Sequence, residues 1–170
     1  MNEQTVSGAV APLPAGRFEG RADFQRLVRE SLACAASEGW PELILADAHF
    51  ADWPLGERST EASLLAWSKS GRRIVLLARR FDELVRRHPR FVSWRRRWSP
   101  IIECRACRQA DPLEFPSAIW SPRWVLQRLD PERCTGITGS EPARRLALRE
   151  LLLEWQHRST PSFPADTLGL

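Results

Sequence analysis

Lysine is nearly absent from this chain. Of its 25 basic residues only Lys69 is a lysine, and the rest are arginines. A GC-rich genome explains that bias first, because it runs through the whole sequence. Its physical consequence is a set of planar, permanently charged, bidentate donors suited to phosphate and carboxylate. Long apolar runs are missing too. The candidates, residues 43–46 and 74–78, have strand length and fall far short of the ~18–20 residues that span a bilayer. Residues 1–5 lack the basic and apolar stretches of a secretory signal, which predicts a cytoplasmic location and four free cysteine thiols. No Gly-x-Ser-x-Gly, no His-x-x-x-His and no Ser/His/Asp arrangement can be placed. Gly136-Ile137-Thr138-Gly139-Ser140 has no lysine to make it a nucleotide-binding loop, and reads more simply as a tight turn and helix cap. The sequence names no reaction and calls for no cofactor or metal.

What is present is a globular composition, 43% hydrophobic with 27% charge over 170 residues, the size of one domain with a real core. Residues 1–15 read as a mobile leader, 16–158 as an α/β domain and 159–170 as an extended tail. Phe24, Leu27, Val28 and Leu32 fall at helical spacing and predict a helix over 22–37 that Gly39 ends. Residues 42–46 and 72–78 predict buried strands, separated by a helix that Ser59 caps. Further strands are expected near Phe18 and over 101–106, 117–120, 124–129 and 135–138. Ser140 is expected to cap a last helix, with Leu148, Leu151, Leu152 and Trp155 on its core face. Strands alternate with helices and then crowd together, which predicts a single α/β domain: a mixed β-sheet flanked by helices.

The charge is unevenly placed. Residues 79–98 carry eight arginines against two acids, a formal +6, whereas the whole chain is +4 and the other 150 residues sum to −2. A local positive segment with interleaved aromatics is a surface for a polyanion. Arg79, Arg86, Arg87, His88 and Arg90 are its binding candidates. Phe91, Trp94 and Trp98 can either stack on bases or face the core, and their helical spacing favours the core. Pro89 predicts a break at His88, so Arg79, Arg86, Arg90 and Arg97 share one face only if the helix continues through it.

A second group lies at strand ends. Asp47, Arg79 and Asp130 each follow a strand, where ligands of open α/β sheets gather, and Asp52 stands close to Asp47 across His49. The simpler reading makes these residues caps and salt bridges. Cys104 and Cys107 have the spacing of half a zinc site, but its other half is missing, and strand alternation places them on opposite faces. Ordinary thiols fit better. Most of the eight tryptophans read as core or interface packing.

Asp47…Asp52-Trp53-Pro54-Leu55-Gly56, residues 72–78 followed by Phe81, His88-Pro89-Arg90-Phe91 and Trp94…Trp98 together resemble a family of uncharacterised proteobacterial proteins. Trp124…Asp130-Pro131, Arg144-Arg145 and Phe163-Pro164…Thr167-Leu168-Gly169-Leu170 extend the likeness over roughly residues 17–170. The order of elements is also similar to one half of a phospholipase D-like domain. Active members of that family carry a His, a Lys two residues on and an Asp five after that. Here Asp130 has Val125 at the Lys position and Arg123 at the His position. The resemblance therefore implies a degenerate, non-catalytic half and, because such halves pair, a homodimer. Three roles remain open: a binding module for nucleic acid or another polyanion through residues 79–98, an oligomerising protein with a Trp-rich interface, and an enzyme of unknown type using Asp47, His49, His88 or Asp130.

Overall fold

The computed structural model describes residues 11–164. Eight strands form one mixed sheet in the order β1-β7-β6-β5-β2-β3-β4-β8. They are β1 (Gly16–Glu19), β2 (Glu42–Ala46), β3 (Arg73–Ala78), β4 (Ile102–Ala106), β5 (Ala118–Trp120), β6 (Val125–Asp130), β7 (Thr135–Gly139) and β8 (Thr160–Pro161). The helices are α1 (Arg21–Glu38), α2 (Arg58–Ser68), α3 (Asp82–Arg87), α4 (Pro89–Arg97) and α5 (Pro142–Arg158). β2, β3 and β4 are parallel, and every other pairing is antiparallel. The α/β domain with a helix-flanked mixed sheet expected from the sequence is what forms.

The apolar runs of β2 and β3 are explained by burial on both faces. Leu43, Leu45, Ile74 and Leu76 pack with Phe24, Leu27, Leu64, Trp67, Phe91 and Trp94 of α1, α2 and α4. Ile44, Ala46, Val75 and Leu77 pack on the opposite face with Leu148 and Leu152 of α5. Each large side chain so buried contributes roughly 1.5–3 kcal/mol. Cys104 lies in the first cluster and Cys107 in the second, so the two thiols are on opposite sides of the sheet. All four cysteines are free and buried.

α1 ends at Gly39, which adopts the left-handed conformation (φ 65°) a Cβ would oppose. Two expected caps are corrected. α2 is preceded by Glu57 and not Ser59, and α5 by Glu141 and not Ser140; neither residue makes a side-chain cap bond. Pro142 does occupy the first turn of α5, where its missing N–H is not needed.

Residues 11–15 belong to the stretch read as a leader, yet the Pro14 carbonyl accepts hydrogen bonds from Trp124 Nε1 and Thr138 Oγ1, both at 2.9 Å. Residues 1–10 of that leader, and Thr167-Leu168-Gly169-Leu170 of the tail, lie outside the described residues. The tail begins as β8, paired antiparallel with Arg105 and Ala106. Pro161 tolerates this edge position because no further strand needs its N–H. Among the described residues no helix is long and apolar enough to cross a membrane.

Candidate functional site

The parallel strands β2, β3 and β4 end at one edge of the sheet, and Asp47, Arg79 and Cys107 follow them directly. At this edge arginines occur in two opposite settings.

The first is a buried corner built on Arg128 of β6, only 5% exposed. Its Nη2 donates to Asp47 Oδ1 at 2.8 Å and Asp52 Oδ1 at 3.3 Å. Nη1 donates to Asp52 Oδ2 at 2.5 Å and to Cys134 Sγ at 3.6 Å, and Nε to Ser117 Oγ at 3.0 Å. The guanidinium carbon lies 4.2 Å from the Phe24 ring centroid. A guanidinium has five N–H donors, and here each has a partner. Burial works against the Arg128 charge, but the hydrogen bonds and charges of Asp52 and Asp47 outweigh it and leave its pKa raised. The second Asp47 oxygen accepts the N–H of Phe50 at 2.8 Å and of His49 at 3.2 Å. Asp47 and Asp52 are thus brought together, as their spacing suggested, but around an internal cation.

Arg128 was missed by sequence reasoning, which went to Asp130 at the end of the strand. The available signal was alternation: Arg128 shares its strand face with the core residue Leu126. Asp130 itself caps the following turn through the N–H of Arg133 at 3.0 Å, and no polar contact among the described residues links it with Asp47 or Arg79. His49 is half exposed, its Nδ1 accepting the Ala51 N–H at 3.0 Å. The residues considered for catalysis are therefore not assembled into one constellation.

The basic segment divides in two, as Pro89 predicted. His88, at φ −124° and ψ 66°, separates α3 from α4. His88 is buried, with Nε2 2.9 Å from the Phe50 carbonyl oxygen. Arg79 donates from Nε to the Ala110 carbonyl at 2.5 Å, and Arg90 from Nη1 to the Gly56 carbonyl at 2.9 Å. These three residues hold loops together. Arg86 and Arg87 are exposed, and both pair with Glu83, whose carboxyl group they draw below its usual range. Phe91 and Trp94 are core residues and cannot stack on a base. α4 runs back toward the start of β4, where Trp94 Nε1 donates to Ser68 Oγ at 2.8 Å, so Arg96 and Arg97 emerge far from Arg86.

The second setting is an open cleft of about 340 Å3 beyond the ends of β3 and β4. Arg80, Phe81, Asp82, Val85 and Arg86 line it from the α3 side, Arg108 from the loop after β4, and Ser162 and Phe163 from the tail. Among the described residues of this lining three are arginines and one, Asp82, is an acid. Phe163 stacks on Phe81 with centroids 5.5 Å apart, and its carbonyl accepts from Arg95 Nη2 at 3.2 Å. Arg108 also borders a neighbouring cleft of about 460 Å3, where Asp111 and Glu114 offset Arg158. Burial pushes the Cys104 thiol up to about 12 and raises that of Cys107 as well, so neither is a ready thiolate. Among the described residues no three His, Cys, Asp or Glu side chains are grouped to hold a metal ion.

No protein-family model matches the chain, and no curated protein sequence does either. Among solved structures the fold is similar to that of TrmBL2, an archaeal chromatin protein described as showing a novel mode of DNA binding. The TM-score is 0.66 at 15% identity, over 92% of this chain and 57% of the other. The chain therefore spans little more than half the length of that protein. At this identity the likeness is one of fold.

Proposed function

We propose that this chain is a non-catalytic binding module for a phosphate-rich polymer, nucleic acid first, acting through the arginines beyond the ends of β3 and β4. The observation that carries the reading is the cleft itself: Arg80, Arg86 and Arg108 line it, with Asp82 as the only acid among the described residues of the lining. Such an excess of exposed guanidinium groups attracts phosphate and releases its counterions. The fold shared with TrmBL2, a chromatin protein that binds DNA, supports a nucleic-acid partner. A cytoplasmic location goes with such a partner. The likeness to a degenerate phospholipase D-like half, and the proteobacterial family resemblance, remain part of the proposal.

The test is a salt titration of binding to single- and double-stranded oligonucleotides. A log K against log salt slope of about −0.9 per duplex phosphate contact, summing to about three contacts, is the expected result. Absence of binding at low salt overturns the reading. One observation favours an additional homodimer: Leu146, Leu151 and Leu153 are exposed along α5, beside the sheet face on which Leu148 and Leu152 of this helix pack. Sedimentation over a hundredfold range of concentration tests it, and a constant monomer mass excludes it.

A further inference from the structure

The arginine cleft has a size and a charge that select among phosphates. We infer that it recognises a terminal phosphate monoester, on the end of a strand or on a small molecule, in preference to an internal diester. The inference rests on the reading of this edge as phosphate-binding and specifies its ligand.

Three observations carry it. The cleft holds about 340 Å3, at the lower end of the roughly 300–1,000 Å3 typical of small-molecule sites, which is room for one phosphate-bearing group. Its charge is unbalanced. Among the described residues neither Arg80 nor Arg108 has a carboxylate oxygen within 4.0 Å, while Arg86 is shared with Glu83. A monoester carries about −1.5 to −2 at neutral pH and an internal diester only one charge, so the monoester compensates this excess better. The wall is also prepared. Val85 is 43% exposed, and Phe163 is held by Phe81 and Arg95 in a left-handed backbone conformation (φ 49°), a strained geometry kept by its surroundings. That apolar side accommodates the sugar or base attached to the phosphate, with little ordering left for the binding step.

The experiment uses the full chain and one single-stranded oligonucleotide carrying either a 5′-phosphate or a 5′-hydroxyl, followed by fluorescence anisotropy. Inorganic phosphate and dimethyl phosphate are titrated separately by calorimetry. The phosphorylated strand is expected to bind about tenfold tighter than the hydroxyl strand. Arg80→Gln and Arg108→Gln are each expected to cut that advantage to about twofold, on top of a loss of affinity shared by both strands, with the thermal midpoint unmoved. Equal binding of both strands, lowered alike by Arg108→Gln, overturns this inference and leaves the polymer-binding function standing. Binding of inorganic phosphate but not dimethyl phosphate, with neither strand bound, supports the monoester site on a small ligand and sinks the polymer reading. Failure of all four ligands sinks both.

Discussion

The corner around Arg128 and the cleft around Arg108 lie at the same edge of one sheet and use the same side chain. In the corner, every donor of the guanidinium is matched, two carboxylates neutralise it and an aromatic ring covers it. In the cleft, Arg80 and Arg108 have no carboxylate partner among the described residues, and Arg86 shares Glu83. Arginine content is therefore a poor guide to function, whereas the local ratio of carboxylate to guanidinium is a good one. A matched arginine holds the fold. An unmatched one is available to a ligand.

The comparison breaks most dramatically at Arg128. Arg128→Ala leaves Asp47 and Asp52 with no buried cation and is expected to remove about 3–5 kcal/mol of stability, read as a lower urea midpoint at constant slope. A loss below about 1 kcal/mol makes the corner as dispensable as a surface pair. A smaller effect comes from giving the cleft the counterion it lacks. Val85→Glu, at an exposed position, is expected to lower oligonucleotide affinity about as much as deleting one arginine and to reduce the salt slope by about 1, with stability within about 0.5 kcal/mol. Unchanged affinity means that the cleft arginines do not meet phosphate.

The smallest effect is expected at a half-matched site on the sheet. Glu103 is drawn below the usual carboxylate range by the hydrogen bond from Arg73, reinforced by Arg105. A depressed carboxyl contributes stability above its unfolded pKa of about 4.3 and loses it as pH falls through the lower folded value. Glu103→Gln should therefore lower the thermal midpoint slightly at pH 6, and the gap to wild type should close as the pH is taken below 4. Solvent screening keeps it small, since over a third of the side chain is exposed. A gap that widens toward low pH contradicts this sign.

Much of the fold was legible because the local signals are strong. The apolar runs of β2 and β3, the i, i+3, i+4 spacing in α1 and the Pro89 break each correspond to the element formed. Helix starts were less legible: Ser59 and Ser140 are cap-forming types, but the chain turns in at Glu57 and Glu141. The candidate site was legible in part. Eight arginines mark residues 79–98, yet tertiary structure sorts them into backbone ties (Arg79, Arg90, Arg95), a pair sharing Glu83 (Arg86, Arg87), a cleft residue (Arg80) and a group at the end of α4 (Arg96, Arg97). Arg108 lies outside the run and joins Arg80 only because β3 and β4 are parallel neighbours. Nor does Arg128 stand out locally, since its partners are 76 and 81 residues away in sequence.

The strand that opens the described chain has a kinetic consequence. Among the described residues β1 pairs only with β7, and the bond from Thr138 to the Pro14 carbonyl closes a loop of 124 residues. Phe18 and Gly136 meet so closely that an added Cβ on Gly136 would lie 2.0 Å from the Gln127 carbonyl oxygen and 2.7 Å from the Phe18 ring. During synthesis β1 leaves the ribosome long before its partner exists and must wait as an unpaired edge, while β2 and β3 can already associate. Contacts of such sequence separation slow folding, so β1 docks late, and the half-finished sheet spends that interval open to pairing with other chains.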